Sequence, residues 1–304
     1  MNNDTAPSLL DLNEDGIMVL FGVLYFCISL PVMVLLVIVM KALHIKDRKS
    51  ENVTYKLMNF ANSFEISQAF FHFLSSCLPI FPEINNRYDV IVRILGCIMN
   101  TFWIGELPVM AMLAVCRILI FLEYMRADRM VSGLKIVIAS ILSWMLFVII
   151  AGCITQNFKF TIAYWEYDLT QPYAGMFVKL ELLTSFVSLA IAYMSYMTII
   201  FLIYRKRQVT ASFNNKNEIC IMLQYTFTIT YIVIYIVMWH HGRDWFHFDS
   251  PISSALVNAY WIASYYISPT MLLILNGSIR QECKILLGMR VTKKVSSMWV
   301  VTMT

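Results

Sequence analysis

Seven long apolar stretches, separated by short polar segments, limit what this chain can fold into more than any other feature. Each stretch reaches the length of about 20 residues that a helix needs to cross the hydrocarbon core of a bilayer. They run over residues 17–40, 53–78, 94–122, 134–156, 176–204, 219–240 and 252–275. The sequence therefore predicts an all-α membrane protein, a bundle of seven transmembrane helices.

The distribution of Lys and Arg over the polar segments predicts the orientation of this bundle. Sixteen of these residues fall in the segments after the first, third, fifth and seventh stretches, and only four fall in the segments on the other side. Short cytoplasmic loops are enriched in Lys and Arg. We therefore expect the N-terminus outside the cell and the C-terminus in the cytoplasm.

Composition excludes a soluble fold and limits the number of domains. The chain is 59% hydrophobic and 14% charged, whereas soluble domains are about 45–50% apolar and about 25% charged. We expect a short extracellular N-terminus at 1–16, the bundle at 17–275, and an amphipathic helix with a cytoplasmic tail at 276–304. The net charge of +4 follows one membrane face, which favours lipids as partners and argues against nucleic-acid binding.

Three carboxylates lie inside the stretches, where burying an ionisable group is costly and suggests function. Glu65 lies about 18 Å from the inner end of the second stretch at 1.5 Å per residue. It is either an ion or proton site coupled to conformational change, or a protonated carboxyl bonded within the bundle. Glu106 is either a ligand-contacting or pH-responsive acid beside Trp103, or a buried hydrogen-bonded group. Glu181 lies near the outer end of the fifth stretch.

Arg117 lies near the cytoplasmic end of the third stretch. It either extends to the lipid headgroups, or holds the inner ends of spans three and six together and releases them on activation.

Two modification sites and one disulfide are consistent with this topology. Asn3 is a glycosylation candidate, because it begins a sequon on the outer side. Cys283 is a lipidation candidate, because it lies in the amphipathic segment on the inner surface. Three cysteines near the outer ends of spans could form one disulfide: Cys77, Cys97 and Cys153. No pair of cysteines has metal-ligand spacing, and we expect no metal and no cofactor.

Two outer loops have an unusual composition. The loop at 157–175 is rich in aromatic residues, which favours an aromatic belt at the membrane–water boundary. The last outer loop contains His240, His241, Asp244, His247 and Asp249. This cluster could bind a metal or sense pH, but its spacing fits no metal motif and favours a solvated loop.

The sequence combines seven spans, an arginine at the inner end of span three, and a short helix after span seven. Three local features add to these: Tyr55 and Lys56 at the start of span two, Gly96 and Trp103 in span three, and residues 275–280 after span seven. In the general features the chain resembles the G-protein-coupled receptors, and in the local ones it is most similar to the class T nematode serpentine chemoreceptors.

The chain also departs from the rhodopsin-like pattern. Cys116 replaces the acid before the span-three arginine, and span seven has Ser268 before Pro269 without a tyrosine three residues later. The loop at 157–175 contains no cysteine, so the usual disulfide to span three is absent. Span seven contains no lysine, which excludes a retinal Schiff base.

The resemblance implies a chemosensory receptor that detects an unknown small molecule and couples to a heterotrimeric G protein. The implied location is the plasma membrane, including the sensory cilium of a chemosensory neuron. By depth in the bundle, the ligand-binding candidates are Trp103, Glu106, Tyr231, Tyr235 and Tyr260. The candidates for the conformational switch or for G-protein contact are Arg117, Arg126, Arg129, Glu65 and Pro269.

Three other classes of membrane protein fit the sequence less well. A seven-helix ligand-gated odorant channel has a cytoplasmic N-terminus, which the charge asymmetry opposes. A small-molecule transporter predicts internal repeats and broken helices, and no repeat is visible. An intramembrane enzyme needs paired aspartates, a nucleophile with its base, or a zinc motif. No stretch contains an aspartate and no such motif occurs, so we do not expect an enzyme.

Overall fold

The protein is described by a computed structural model that covers residues 8–50, 52–126, 128–209, 216–246 and 250–289. The elements, in chain order, are α1 (Gly16–Ser50), α2 (Val53–Ser75), α3 (Pro82–Arg87), α4 (Asp89–Phe121), α5 (Ser132–Thr155), β1 (Phe158–Thr161), β2 (Tyr164–Tyr167), α6 (Ala174–Val209), α7 (Lys216–Phe246), α8 (Pro251–Ser264), α9 (Ile267–Leu275) and α10 (Gly277–Leu286). Asn3 lies outside the described residues.

Each of the seven apolar stretches coincides with a long helix or, for the last, with the pair α8 and α9. Within the described residues, four helices are long and apolar enough to span a membrane: α1, α4, α5 and α6. A fifth span results if α8–α9 and α10, which are bent by 104° relative to each other, count as one. Polar side chains such as Asn62, Glu65 and Gln68 make α2 less apolar than these helices. The structure thus has four to five apolar spans, and seven spans and the outward N-terminus stay predictions.

Local capping explains where several helices begin and end. Asn52 accepts a hydrogen bond from the amide of Thr54 at the start of α2. Ser250 accepts one from Ser253 at the start of α8, where Pro251 occupies the first turn. Such side chains satisfy amides that have no partner inside the helix. Two tyrosines separate α8 from α9, and α9 then has Pro269 in its first turn.

The helix α4 forms the centre of the bundle. It packs against α2, α5 and α6, while α1 packs against α2, and α7 packs against α8 and α9. In the most apolar 18-residue segment of each helix, 67% of α4 is buried, compared with 28% of α1 and 22% of α5. The outer helices instead expose large apolar side chains, such as Leu146, Phe147 and Ile150 on α5. An apolar surface of this extent is typical of helices that face lipid.

A β-hairpin covers one end of the bundle, which we call the hairpin end. Phe158 pairs with Tyr167 and Phe160 with Trp165 in an antiparallel register. Phe158, Phe160 and Trp165 are each at most 4% exposed, so the prediction that these rings form a belt at the membrane boundary was wrong. They pack inward because the hairpin folds over α4.

Close approach and an ion pair hold this hairpin on α4. The ring of Trp165 packs directly against Gly96, where a Cβ atom would overlap the ring. Arg93 on α4 donates to Asp168 after β2 at 2.7 Å and to the carbonyl of Gln156 at 3.1 Å. Burial by itself raises the pKa of Asp168. Hydrogen bonds from Thr170 and Arg93 and the charge of Lys159 outweigh this effect and hold the pKa below its usual range.

The opposite end of the bundle, which we call the Arg117 end, is closed by α10. Glu282 on α10 accepts from Lys49 on α1 at 2.7 Å, and Lys46 lies 3.6 Å away. The hydrogen bond from Lys49, together with the charge of Lys46, lowers the pKa of Glu282 despite its burial. Ile279 and Cys283 face the bundle and are at most 4% exposed. A buried Cys283 disfavours lipidation, which stays a prediction.

The cysteines near the hairpin end are free thiols. Cys97 is buried and donates to the carbonyl of Gly152, and neither Cys77 nor Cys153 is bonded to another cysteine. Among the described residues, the hairpin is therefore held by Arg93 and by ring packing, without a disulfide.

Candidate ligand cavity and the polar core beneath it

A cavity of about 280 Å³ opens at the hairpin end of the bundle. Ligand cavities typically measure about 300–1,000 Å³, so this one fits a small ligand. It lies between β2, α6, α7 and α8. The described lining residues are Tyr164, Trp165, Glu166, Tyr167, Leu169, Val178, Met238, Trp239, His240, Ser254 and Val257. The walls are thus mainly aromatic and aliphatic, with few polar groups.

Directly behind the wall lies the buried carboxylate of Glu181, on α6. It is 3% exposed and accepts hydrogen bonds from Trp103 Nε1 at 3.0 Å and from the Tyr167 hydroxyl at 2.5 Å. Tyr167 also accepts from the side-chain amide of Asn100 at 2.7 Å. Burial and the charge of Glu181 raise the pKa of Tyr167 well above its usual range. The phenol therefore stays protonated and acts as a donor to Glu181.

His240 connects this carboxylate to the cavity. Its Nε2 atom lies 3.8 Å from Glu181 Oε1, and the side chain is 9% exposed. His240 occupies α7, so the prediction of a solvated loop was wrong for this residue. In the part of the chain that the structure describes, no group of His, Cys, Asp or Glu has the geometry of a metal site.

An aromatic cluster continues from Glu181 toward the centre of the bundle. The ring of Trp103 lies 5.3 Å from Tyr235 and 5.6 Å from Trp261, both edge to face. Trp261 in turn lies 4.7 Å from His72 on α2. Tyr231 and Tyr260 stack at 4.1 Å on the side of Tyr235. Edge-to-face and offset pairs at these distances are favourable, so ring contacts continuously join α4, α7, α8 and α2.

The predicted ligand-binding residues therefore lie together, but beneath the cavity. Trp103, Tyr231, Tyr235 and Tyr260 belong to one cluster of rings, and none of them is among the described lining residues. Glu106 lies deeper. The prediction rested on depth along each helix, whereas the lining comes from the hairpin and from faces of α6 to α8 that depth alone does not identify.

A second polar group lies at mid-bundle around Glu65 and Glu106. Gln68 on α2 donates to Glu106 on α4 at 2.7 Å and accepts from the Tyr265 hydroxyl at 3.2 Å. Glu65 interacts electrostatically with Glu106 and lies within hydrogen-bonding range of Ser268, the residue before the buried Pro269. Two interacting carboxyl groups in a dry interior cannot both be charged without a large cost. This arrangement favours protonation of at least one of them.

Arg117 lies at the far end of α4, about 21 Å from Trp103 at 1.5 Å per residue. Its side chain is buried, its guanidinium lies 5.6 Å from the centre of the Tyr225 ring on α7, and Nη2 lies 3.9 Å from Met58 Sδ on α2. Tyr225 stacks on Tyr196 of α6 at 5.9 Å. Arg117 thus packs between helices and does not extend to headgroups.

The remaining predicted residues lie in the connection after α4. Arg126 and Arg129 are exposed there, and Arg126 pairs with Asp128 at 2.7 Å. They do not contact the buried arginine and form a separate basic surface at the Arg117 end.

Sequence reasoning missed Glu181 as a site residue. Its signal was the same as that of Glu65, an acid inside an apolar stretch, and the same argument applies to it. Its partners could not be predicted, because Trp103, Tyr167 and His240 are far apart in the chain and meet only through the fold.

Comparisons with known proteins identify the fold. No protein-family model matches this chain, and no curated protein matches it in sequence. The chain is similar to the solved structure of squid rhodopsin, with a TM-score of 0.65, 16% identity, and coverage of 93% of this chain and 90% of that one. The chain thus shares the helical-bundle fold of squid rhodopsin.

Proposed function

We propose that this chain is a chemosensory receptor of the plasma membrane that binds a small molecule in the cavity at the hairpin end and signals through a heterotrimeric G protein. The observation that carries the proposal is that Glu181 lies directly behind the cavity wall. Packed aromatic rings connect Glu181 with α4, the helix that contains the candidate switch residue Arg117. A ligand that favours one packing of these rings would shift the equilibrium between two states. The proposal is of a receptor and not of an enzyme.

The route from cavity to Arg117 consists of described contacts. Glu181 bonds to Trp103, Trp103 packs against Trp261, and Trp261 packs against His72. One turn before His72 on the same helix, Gln68 bonds to Glu106. Glu106 and Arg117 lie on the same helix α4, which packs against α2 and α6. Spatial continuity alone does not establish energetic coupling between these groups. Mutation of individual groups along the route therefore has to test it.

The finer assignment is to the class T nematode serpentine chemoreceptors, with the sensory cilium as a location. It is supported by Tyr55 and Lys56 at the start of α2, by Trp103, and by Gly96, whose missing side chain admits the hairpin. On this assignment the hairpin end is extracellular, and the Arg117 end, with Arg126 and Arg129, meets the G protein.

The test is a G-protein activation assay in cells that display the receptor, with a library of small molecules. Ser254→Trp fills the cavity and should abolish responses that the wild type gives. Leu256→Trp is the matched control, because Leu256 lies on the same helix α8 but is 55% exposed on its lipid side. Arg117→Ala should reduce coupling without changing ligand binding. Equal responses from Ser254→Trp and wild type would contradict the location of the site.

Orientation is tested independently with epitope tags on both termini in intact and permeabilised cells. We expect the N-terminal tag to be accessible in intact cells and the C-terminal tag only after permeabilisation. A cytoplasmic N-terminus would contradict the receptor proposal and favour an odorant channel, which current recordings would then address.

A further inference from the structure

The chemistry of the cavity wall limits what the proposed receptor can bind. Behind the wall, Glu181 is buried, and both of its described hydrogen-bond donors, the Trp103 indole and the Tyr167 phenol, are neutral. In the described part of the chain, its one ionisable basic neighbour is His240, whose Nε2 lies 3.8 Å away. A buried carboxylate without a cation retains an unbalanced charge, which is costly in a dry interior.

His240 places an unused polar atom at the same position. It lines the cavity, its side chain is 9% exposed, and Nε2 has no hydrogen-bond partner among the described residues. In the tautomer with the proton on Nδ1, this atom accepts a hydrogen bond. A donor group inside the cavity would therefore satisfy Nε2, and a positively charged donor would in addition balance the charge of Glu181.

The walls favour a positively charged donor over a neutral one. Of the described lining residues, four present aromatic rings: Tyr164, Trp165, Tyr167 and Trp239. The faces of Trp and Tyr attract cations. Among the described lining residues, Glu166 is negatively charged and none is a Lys or Arg, so no positive charge on the wall opposes a cation. Glu166 itself interacts with Lys159 at 3.6 Å on the hairpin, so Glu181 supplies the charge that lacks a counter-ion.

We propose that the cavity binds a small organic cation, a protonated amine with a compact apolar body, whose charge is balanced by Glu181 and whose N–H donates to His240 Nε2. This assignment rests on the proposed function, because it identifies the ligand class of the same site. A volume of about 280 Å³ limits the ligand to roughly the size of one ring with a short side chain.

The test uses three probes of similar size and different charge on the full chain in lipid nanodiscs. They are 2-phenylethylamine as the cation, 2-phenylethanol as the neutral compound, and phenylacetate as the nearest anion in size, each titrated by the shift in the midpoint of thermal unfolding. We expect the cation to bind at least tenfold more tightly than the other two. Equal or tighter binding of the alcohol or the anion would overturn the assignment.

Two substitutions locate the charge. Glu181→Gln should reduce the preference for the cation to less than threefold. Glu83→Gln is the matched control, because Glu83 lies on α3 and outside the described lining, and it should leave the preference intact. If Glu181→Gln folds and keeps the full preference, Glu181 is not the counter-charge and the assignment fails. If Glu181→Gln does not fold, Ser254→Trp decides the question with Leu256→Trp as its control, because only the former should abolish binding of the cation.

This outcome is distinguishable from failure of the receptor proposal. Binding of the cation without G-protein activation by any library compound would contradict the receptor function and leave the ligand class standing. Activation only by neutral or anionic compounds that Ser254→Trp abolishes would support the receptor and refute the cation.

Discussion

Arg93 is the residue whose loss should most clearly release the hairpin from the bundle. Arg93 donates to Asp89 and Asp168, each at 2.7 Å, and to the carbonyl of Gln156 at 3.1 Å. The side chain of Asp168 is 5% exposed and that of Arg93 14%. Hydrogen bonds to charged groups contribute about 1.5–3 kcal/mol. In Arg93→Met, Asp168 still has two partners, Thr170 at 2.7 Å and Lys159 at 3.6 Å. The substitution should therefore lower the free energy of hairpin opening by no more than about 1.5–3 kcal/mol.

The expected loss is local and is best measured by hydrogen exchange. A cost of about 1.5–3 kcal/mol corresponds to about 10- to 150-fold faster exchange of the β1 and β2 amides, since about 1.4 kcal/mol changes an equilibrium tenfold. Amides in the middle of α4 should be unaffected. Arg87→Met is the matched control. Arg87 lies 3.7 Å from Glu83 and its side chain is 41% exposed. Because exposed ion pairs contribute little to stability, this substitution should leave hairpin exchange nearly unchanged. Unchanged exchange of the hairpin in Arg93→Met would refute the anchoring role of this ion pair.

The pH dependence of the same exchange gives a second check. The pKa of Asp168 is below its usual range, so its stabilising contribution is complete above its unfolded value of about 3.9 and is lost as the pH falls through the lower folded value. Hairpin exchange, corrected for intrinsic rates, should therefore be the same at neutral and mildly acidic pH. In Arg93→Met the pKa of Asp168 rises, because a hydrogen bond and a positive charge are lost, and protection should decline at a higher pH than in the wild type.

Three further substitutions test other parts of the fold. Gly96→Val inserts atoms where Trp165 packs, and we expect a loss of about 1–3 kcal/mol, measured as a lower midpoint of thermal unfolding; an unchanged midpoint would contradict the close contact. Gln156→Gly relieves a left-handed residue with φ of 48° at the end of α5 and should raise that midpoint by the equivalent of about 1 kcal/mol. Tyr225→Leu removes the ring beneath Arg117. If this contact stabilises the resting state by about 0.5–2 kcal/mol, ligand-free G-protein activation should rise by about 2- to 30-fold. Unchanged basal activity at equal surface expression would exclude that role.

Hydropathy predicted the long helices, because a stretch of about 20 apolar residues has few alternatives to a helix in lipid. The polar α2 shows the limit of that argument. Its Gln68 and Glu65 face Glu106 and Ser268 within the bundle, so a window that averages hydropathy does not describe it as a span. The apolar stretch at 53–78 predicted a helix there, whereas membrane crossing depends on neighbours that the sequence does not specify.

The hairpin illustrates what the sequence could not predict. Trp165 and Phe158 have the composition of an interfacial belt, and yet both are 1% exposed. Their burial depends on Gly96, more than 60 residues earlier, and on Arg93 as a partner for Asp168. Such pairings across long separations follow from the packing of α4 against the loop and have no local signature.

The Arg117 end raises the question of what restrains a buried arginine when the residue before it is Cys116 and not an acid. The structure places the guanidinium over Tyr225 on α7 and beside Met58 on α2. A cation over a ring is attracted by about 0.5–2 kcal/mol, and that attraction is lost as soon as α7 moves away from α4. The contact therefore depends on the position of α7 relative to α4. The acid–arginine pair of the rhodopsin-like pattern, which Cys116 replaces here, lies within one helix and would not depend on that position. In this chain, the buried arginine would respond to displacement of α7 directly, and α7 is also the helix that carries Tyr235 and His240 toward the hairpin end of the bundle.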